Sequence, residues 1–294
     1  MAAGTEAVNT APVEHEDAGF QPHSRTITLT SKPLPLMSVV KDLWAARYVL
    51  WTLGRQEFFS RYRRASLGVI WAVALPLLQA AVLAVVFSQI VRFRTGQHFV
   101  VFVLGGLTVW SFFGGTLSTS ATAIVDGAGM ASKIYFPRAV LPMIKLVASS
   151  YSLCISVALL VAVTLISGIG LHPSMLLLLP AALLLIALTL AISLVSSALH
   201  VYFRDIRFAV SAVLTIWFYA TPIIYPVELI SGPVKTLLWL NPVTAIVEMV
   251  REATVGADPG WEVSLISCVT CIVVLMFAAM ILHRRFDRVF SDRL

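Results

Sequence analysis

The residues best suited to acid–base chemistry are two glutamates near position 250. Glu248 and Glu252 are four residues apart, and Arg251 lies between them. On a helix this spacing places both carboxylates on one face, where they could act as a general acid and a general base. The same spacing is typical of a solvated helix face or of an ion pair with Arg251, and we favour these two interpretations.

Other catalytic or metal-binding patterns are absent from the sequence. The six histidines are scattered without an HxxxH spacing, and there is no GxSxG nucleophile motif. A GxxxxGK[ST] loop, which would cradle phosphates, is missing as well. Cys154, Cys268 and Cys271 lie in apolar runs, and their CxxC pair has no second pair or nearby histidine to complete a metal site. We therefore expect no catalytic residues, no metal, no cofactor and no enzyme activity in this chain.

The composition identifies the surroundings of these residues. Of the 294 residues, 59% are hydrophobic and 12% are charged, whereas globular domains carry about 25% charged residues. Mean hydropathy is +0.89. This balance excludes a disordered chain, a coiled coil and almost any water-soluble domain. The apolar runs are long and do not alternate, so they predict an all-α integral membrane protein rather than a barrel.

Uncharged stretches of sequence mark the membrane spans. The stretch 146–203 is too long for one span of about 20 residues, and glycines and a proline interrupt it at 168–173. No charged residue lies deep in any span, which argues against an ion-coupled carrier and for an external energy source. Within residues 65–283 we predict six transmembrane helices, at 67–91, 99–117, 143–167, 174–199, 208–228 and 263–282.

The basic residues indicate how these spans are oriented. Six spans place both termini on one side, and 17 of the 21 lysine and arginine residues lie before the first span, in the second and fourth interspan loops, or after the last span. The positive-inside rule places these segments in the cytoplasm. Residues 1–31 are predicted to be a disordered cytoplasmic tail, and residues 284–294 a second cytoplasmic tail.

Ahead of the first span, aromatic and apolar residues recur every three or four positions. Trp44, Tyr48 and Trp51 belong to this pattern, with charged residues between them. The pattern predicts an amphipathic helix in the membrane interface over residues 38–62. Three basic residues follow at its end: Arg61, Arg63 and Arg64. They could be a topology anchor, or a basic rim that meets an anionic headgroup or a partner protein.

The last external loop contains the signals of a short helix. Asn241 and Pro242 suit an N-cap and a first helical position, and Gly256 is a candidate C-cap. The helix between them would have about 14 residues and a length of about 21 Å, which is too short to span a membrane. Pro222 and Pro226 break the fifth span upstream. We predict two short external re-entrant helices, whose ends must be covered by protein or face water, as at a gate.

Aromatic residues are frequent in the spans and at their ends. They could form lipid contacts and interfacial belts, or a pathway in which sugar rings slide over flat aromatic faces. The residues predicted for a glycan pathway are Trp71, Phe87, Trp110, Trp217, Phe218 and Tyr219. The cytoplasmic loop 126–145 contains Tyr135 and Phe136, which an ordinary connection would not need, so this loop is a candidate docking site for an energy-supplying partner.

Five motifs, taken in order along the chain, resemble those of ABC-2-type polysaccharide export permeases. They correspond to the family's entry into the first span, its first coupling region, its loop between the fourth and fifth spans, its fifth span, and its external gate. The matching segments are FFSRYRRASLGVIW at 58–71 with Pro76, SKIYFPR at 132–138, YFRDI at 202–206, YATPIIYP at 219–226 and LNP at 240–242.

The resemblance implies a type V exporter-like fold and an assembly. Such permeases have six spans, an interface helix and two external re-entrant helices, and they work in the bacterial plasma membrane. They form homodimers with two ATP-binding subunits, which bind ATP and Mg²⁺, and they export lipid-linked polysaccharides from the cytoplasm. The polar N-terminal tail and the composition are most similar to an actinobacterial exporter of lipid-linked galactan.

The resemblance also carries roles onto residues of this chain. The lipid-headgroup entry role falls on Arg61, Arg63 and Arg64, and the external gate role on Pro222, Pro226, Asn241 and Pro242. The ATPase-coupling role falls on Lys133, Ile134, Tyr135, Phe136, Pro137, Arg138, Arg204 and Asp205. Two alternatives stay open: an ABC-2 permease for small lipophilic compounds, and an intramembrane transferase, which would need a buried acid or histidine.

Overall fold

The structure is a computed structural model that describes residues 45–63, 65–86, 98–131, 137–256 and 260–286. Within these ranges the regular elements are all helical, and the predicted all-α membrane fold is confirmed. The α-helices are α1 (Arg47–Tyr62), α2 (Trp71–Val86), α3 (Phe99–Ser120), α4 (Ala123–Asp126), α5 (Ala128–Ala131), α6 (Val140–Ile166), α7 (Leu178–Tyr202), α8 (Ile206–Tyr219), α9 (Pro233–Leu240), α10 (Pro242–Val255) and α11 (Glu262–Phe286). Short 3₁₀ turns lie at Gly68–Ile70, Pro173–Leu177 and Val227–Leu229.

Four of these helices are long and apolar enough to cross a membrane. They are α3, α6, α7 with its preceding 3₁₀ turn, and most of α11, with 22, 27, 30 and 22 residues. The helix at the predicted fifth span is shorter, since α8 has 14 residues. At the predicted first span, α2 is described over 16 residues up to Val86, where the described range ends. The chain leaves the α-helical conformation at Tyr219, before the end of the predicted span 208–228. The count of six spans therefore stays a prediction.

The core of the described chain is built around α3. Most of α3 is buried, whereas α11 leaves most of its surface outside the core. Side chains of α3, α6, α7 and α10 meet in one apolar cluster, in which Leu104, Phe113, Leu160, Leu185 and Ile246 are almost completely buried. This packing places the short helix α10 inside the helical bundle and not on its surface.

The first helix packs along α6. A Cβ atom on Gly54 would lie 2.5 Å from Cγ1 of Val147, so only glycine lets the two backbones come this close. The buried Phe58 ring lies 5.4 Å from the Tyr151 ring, measured between centroids. The opposite face of α1 exposes aromatic and basic side chains, as expected for a helix in a membrane interface. Residues 38–44 of the predicted interface helix lie outside the described ranges.

Candidate functional site

The connection between α9 and α10 is held by the side chain of Asn241. Its Oδ1 accepts hydrogen bonds from the Val243 amide at 3.0 Å and the Trp217 indole Nε1 at 2.9 Å. Its Nδ2 donates to the Ala220 carbonyl at 3.1 Å and to Thr221 Oγ1 at 2.9 Å. All four hydrogen-bonding positions of the carboxamide are used. Asn241 therefore caps α10 and also ties it to the C-terminal end of α8.

The predicted helix at 242–255 is confirmed by the structure of α10. Asn241 is its N-cap, Pro242 occupies the first turn, and the left-handed Gly256, with φ of 72°, ends it. The left-handed conformation favours glycine at this C-cap. The helix has 14 residues, so it is about 21 Å long and too short to cross a bilayer by itself.

The C-terminal end of α9 is satisfied by serines of α11. Ser264 Oγ donates to the Trp239 carbonyl at 2.7 Å, and Ser267 Oγ donates to the Leu240 carbonyl at 2.5 Å. The last carbonyls of a helix lack partners within the helix, and inside a membrane they must be satisfied by protein or water. These two serines make it possible for α9 to end beside α11.

A buried ion pair joins α10 to its neighbours. Arg251 is fully buried, and its Nη1 lies 2.5 Å from Glu248 Oε1. Its Nη2 donates to the Ile223 carbonyl at 3.0 Å, and its guanidinium lies 3.5 Å from the centroid of the Phe102 ring on α3. The arginine thus connects three parts of the chain: α10, the segment after α8, and α3.

The electrostatics of this pair follow from its burial. Burial raises the pKa of the Glu248 carboxyl, and the guanidinium of Arg251 beside it acts in the opposite direction. Glu252 has a different partner, since its Oε2 accepts a hydrogen bond from the Trp261 indole. The two glutamates therefore do not form one acid–base pair. Glu248 instead pairs with Arg251, which is one of the two interpretations favoured from the sequence.

A glycine on α3 lets the segment after α8 approach closely. A Cβ on Gly106 would lie 2.8 Å from the Ile223 carbonyl oxygen and 3.1 Å from Ile223 Cα. These are backbone atoms, so no side-chain rotation would relieve the clash. Pro222 is buried in the same segment and Pro226 is partly buried. Both prolines lie after the last residue of α8 and help to keep the segment non-helical.

The predicted pathway aromatics lie in two kinds of surroundings. Trp110 and Phe218 are partly buried and pack edge to face, with centroids 5.4 Å apart. Trp217 is also partly buried and packs on Phe113 at 5.1 Å. Tyr219, in contrast, is 67% exposed at the end of α8. Trp71 is partly buried at the start of α2, and the predicted Phe87 lies outside the described residues.

One face of α8 is exposed within the described chain. None of its 14 residues is fully buried. Its exposed positions include Ser211, Thr215 and Tyr219, which are spaced four residues apart. Such a helix needs lipid, a second chain or a water-filled space beside it. The Thr215 hydroxyl donates to the Ser211 carbonyl, so the exposed Ser211 and Tyr219 side chains are the ones that favour a surface that is not purely apolar.

The predicted cytoplasmic residues that the structure describes are exposed or partly buried. Arg61 and Arg63 are exposed at the end of α1, and Arg64 lies outside the described ranges. Arg204 and Asp205 are exposed, and Asp205 is the N-cap residue of α8. Pro137 and Arg138 are partly buried just before α6. The remaining predicted coupling residues, Lys133, Ile134, Tyr135 and Phe136, lie outside the described ranges.

Several residues of this site were not predicted from the sequence. Gly106, Ser264 and Ser267 contact the segment after α8 or the end of α9. The one available signal was the spacing of Ser264 and Ser267, which places two hydroxyls on one face at the start of an apolar helix. Which carbonyls they contact depends on tertiary packing.

Comparison with known proteins gives the family. The profile of the family described as ABC-2 type transporter matches residues 48–255. An "O-antigen export system permease protein RfbA" of Myxococcus xanthus is 30% identical over 213 residues, which cover 72% of this chain and 82% of that protein. Two proteins of Klebsiella pneumoniae with the same name are 25% and 24% identical over 225 residues, covering 76% of this chain and 86% of each relative.

The family match covers α1 to α10, including Asn241, Arg251 and the segment between α8 and α9. It confirms the resemblance inferred from the five sequence motifs and the expectation of a transport subunit without enzyme activity. The chain therefore belongs to the ABC-2 type transporter family and is a multi-pass membrane permease.

Proposed function

We propose that this chain is the permease subunit of an ABC exporter that moves a lipid-linked polysaccharide out of the bacterial cytoplasm. The names of the relatives from Myxococcus xanthus and Klebsiella pneumoniae support a polysaccharide substrate. The structural observation that carries the proposal is the face of α8, which has exposed hydroxyls and an exposed Tyr219 and is covered by none of the residues that the structure describes. A glycan offers both hydroxyls and apolar CH faces to such a surface.

Two copies of the chain enclose the pathway in this proposal. Helices α2 and α8 correspond to the predicted first and fifth spans, and both leave large apolar side chains exposed: Ile70 just before α2 and Leu78 within it, and Phe208 and Ile216 of α8. A homodimer that places α2 of one copy near α8 of the other covers part of these faces. The space between them forms the passage for the polymer, while the lipid stays in the bilayer.

The energy comes from two separate ATP-binding subunits, which hold ATP and Mg²⁺. The chain has no phosphate-binding loop of its own. Residues 133–138 contact the ATP-binding subunits in this proposal, together with Arg204 and Asp205. Arg204 and Asp205 are exposed just before α8. Closure of the ATP-binding subunits shifts the permease between two states, because ATP binds these states with different affinity.

The substrate enters at the basic end of α1 in this account. Arg61 and Arg63 are exposed there, and guanidinium groups form charge-assisted hydrogen bonds with phosphate oxygens. Together with Arg64 they would attract the pyrophosphate of the lipid carrier. Both termini lie in the cytoplasm in this orientation. At the other side, α9 and α10 cover the external mouth, with Pro222, Pro226, Asn241 and Pro242 at the hinge of this gate. A galactan is the polymer that we propose on the basis of composition.

Charge reversal in the coupling loop tests the proposal. In the assembled exporter, the double variant Lys133→Glu and Arg138→Glu should insert normally but lose polysaccharide-stimulated ATP hydrolysis and polymer export. The charge-conserving variant Lys133→Arg with Arg138→Lys is the control and should keep most of both activities. Normal export by the charge-reversed exporter would remove the coupling role from this loop.

A further inference from the structure

Gln79 is an exposed amide in the middle of an apolar helix. It is the ninth residue of α2, whose other residues are all apolar. The side chain is exposed, and its carboxamide makes no hydrogen bond to any residue within the described ranges. Its neighbours on the same face are Leu75, Leu78 and Val82, which are 49%, 61% and 55% exposed.

A carboxamide in this position needs a polar partner beyond the described residues of its own chain. It has two donor hydrogens and an acceptor oxygen, and hydrocarbon satisfies none of them. Several hydroxyls in the spans avoid this problem by bonding to a carbonyl four residues earlier, as Thr108 does with Leu104 and Thr215 with Ser211. The amide of Gln79 has no such bond. Lipid is therefore an unsuitable neighbour for this part of α2.

The helices next to this position show further polar groups. Helix α3 packs against both α2 and α8. Where the C-terminal half of α3 is exposed, its residues are small or polar: Ser111, Gly115, Ser118 and Thr119. On α8 the exposed positions include Ser211 and Thr215. Gln79 thus lies on one of three helices that pack in series, α2 on α3 and α3 on α8, and each of them exposes polar groups within the described chain.

We propose that Gln79 contacts the glycan as it passes, donating hydrogen bonds to sugar hydroxyls and accepting others from them. This inference rests on the proposed function and deepens it by naming a contact residue. A neutral amide matches hydroxyl groups without a fixed charge, and the flanking leucine and valine side chains suit the CH faces of sugar rings. In the proposed dimer, α2 of one copy faces α8 of the other, so Gln79 lies opposite hydroxyls and not opposite a second Gln79.

Export measurements on the full exporter test this assignment. The complex is reconstituted in proteoliposomes with the lipid-linked polysaccharide, and wild type is compared with Gln79→Leu and Gln79→Asn. We expect Gln79→Leu to export about tenfold more slowly, because it loses roughly one hydrogen bond to the moving glycan. We expect Gln79→Asn to retain part of the export activity. Basal ATP hydrolysis and the ratio of subunits should not change. The matched control is Thr270→Val, which removes an exposed hydroxyl from α11 and should leave export unchanged.

Two results would overturn the assignment. Equal export by Gln79→Leu and wild type would remove Gln79 from the pathway. Dissociation of the two copies in Gln79→Leu, seen by light scattering, would make Gln79 an interchain contact instead. The wild-type arm tests the proposed function separately, because a wild-type complex that exports no polysaccharide contradicts that function whatever Gln79 does.

Cysteine labelling provides a readout that does not depend on transport. In a chain whose native cysteines are replaced by alanine, Gln79→Cys should react with a membrane-impermeant maleimide, and a polymer held in transit should protect it. Val273→Cys is the control, since Val273 is 61% exposed on α11 and should face lipid and stay unlabelled. Equal absence of labelling at positions 79 and 273 would contradict a water-filled pathway at Gln79.

Discussion

The guanidinium of Arg251 lies 3.5 Å from the centroid of the Phe102 ring, with both residues inside the helical bundle. The same guanidinium contacts Glu248 and the Ile223 carbonyl. Asn241 holds Ala220 and Thr221 in the same segment. The start and the C-terminal half of α10 are therefore both attached to residues 220–223. In the proposed external gate, we expect this segment and α10 to move together as one unit.

Removing Arg251 should destabilise the permease strongly. Arg251→Met leaves the Glu248 carboxylate buried without its partner, which costs about 3–5 kcal/mol. The double variant Arg251→Met with Glu248→Leu removes both charges and should recover most of that loss. Thermal unfolding in detergent compares the two. A single variant as stable as the double variant would mean that the ion pair is accessible to water.

The carboxamide of Asn241 should contribute more to the free energy of unfolding than the side chain of an ordinary helix cap does. Asn241→Ala loses four hydrogen bonds and should cost about 2–4 kcal/mol of unfolding free energy. Asn241→Asp keeps the oxygen that accepts from Trp217 and Val243 but loses the donor, so it should fall between alanine and wild type. Thr236→Ala, at an exposed position on α9, is the control in the same unfolding assay. A loss near that of a simple cap, about 1 kcal/mol, would contradict the role as a tie between α8 and α10.

Two glycines of α3 should respond oppositely to the same substitution. Gly106→Ala places a Cβ within 2.8 Å of the Ile223 carbonyl, and the overpacking should cost about 1–3 kcal/mol. Gly115→Ala meets no atom within 4 Å and should be neutral or stabilising by about 0.5–1 kcal/mol, because alanine favours the helix. Thermal unfolding of both variants measures the difference, and equal melting temperatures would show that the backbones are not in close contact.

Substitutions of two aromatic residues at the end of α8 should affect polymer export and thermal stability separately. Tyr219→Ala should slow polymer export about tenfold, because it loses roughly 1.4 kcal/mol of stacking contact with the glycan. Since Tyr219 is 67% exposed, thermal stability should change little. Trp217→Phe loses the hydrogen bond to Asn241 and should lower the unfolding free energy by about 1 kcal/mol. Export at the wild-type rate in Tyr219→Ala would assign that ring to lipid contact.

Some of these features could be predicted from residues that are close together in the sequence. Asn241, Pro242 and Gly256 specify the two ends of α10 by their own backbone preferences, so these ends could be predicted without knowing the neighbours. The same holds for the long uncharged runs that became α3, α6, α7 and α11. Each of these signals depends on residues that are close in the sequence.

Other features depend on contacts that are distant in the sequence. The spacing of Glu248, Arg251 and Glu252 was consistent with several pairings, and the contact between Arg251 and Phe102 joins residues about 150 positions apart. The partners of Ser264 and Ser267 are carbonyls about 25 residues upstream. A hydrophobic run also does not reveal where its helix ends, which is why α8 ends earlier than predicted. The pathway role of the aromatic residues stays a prediction.

In the proposed exporter, this chain is a passage without an energy source of its own. The most direct test is ATP-dependent export of a fluorescent lipid-linked polysaccharide into proteoliposomes that contain the chain alone or the chain with its ATP-binding subunit. We predict uphill export with both subunits and none with the chain alone, even with ATP and Mg²⁺ present. Uphill export by the purified chain alone would contradict the account.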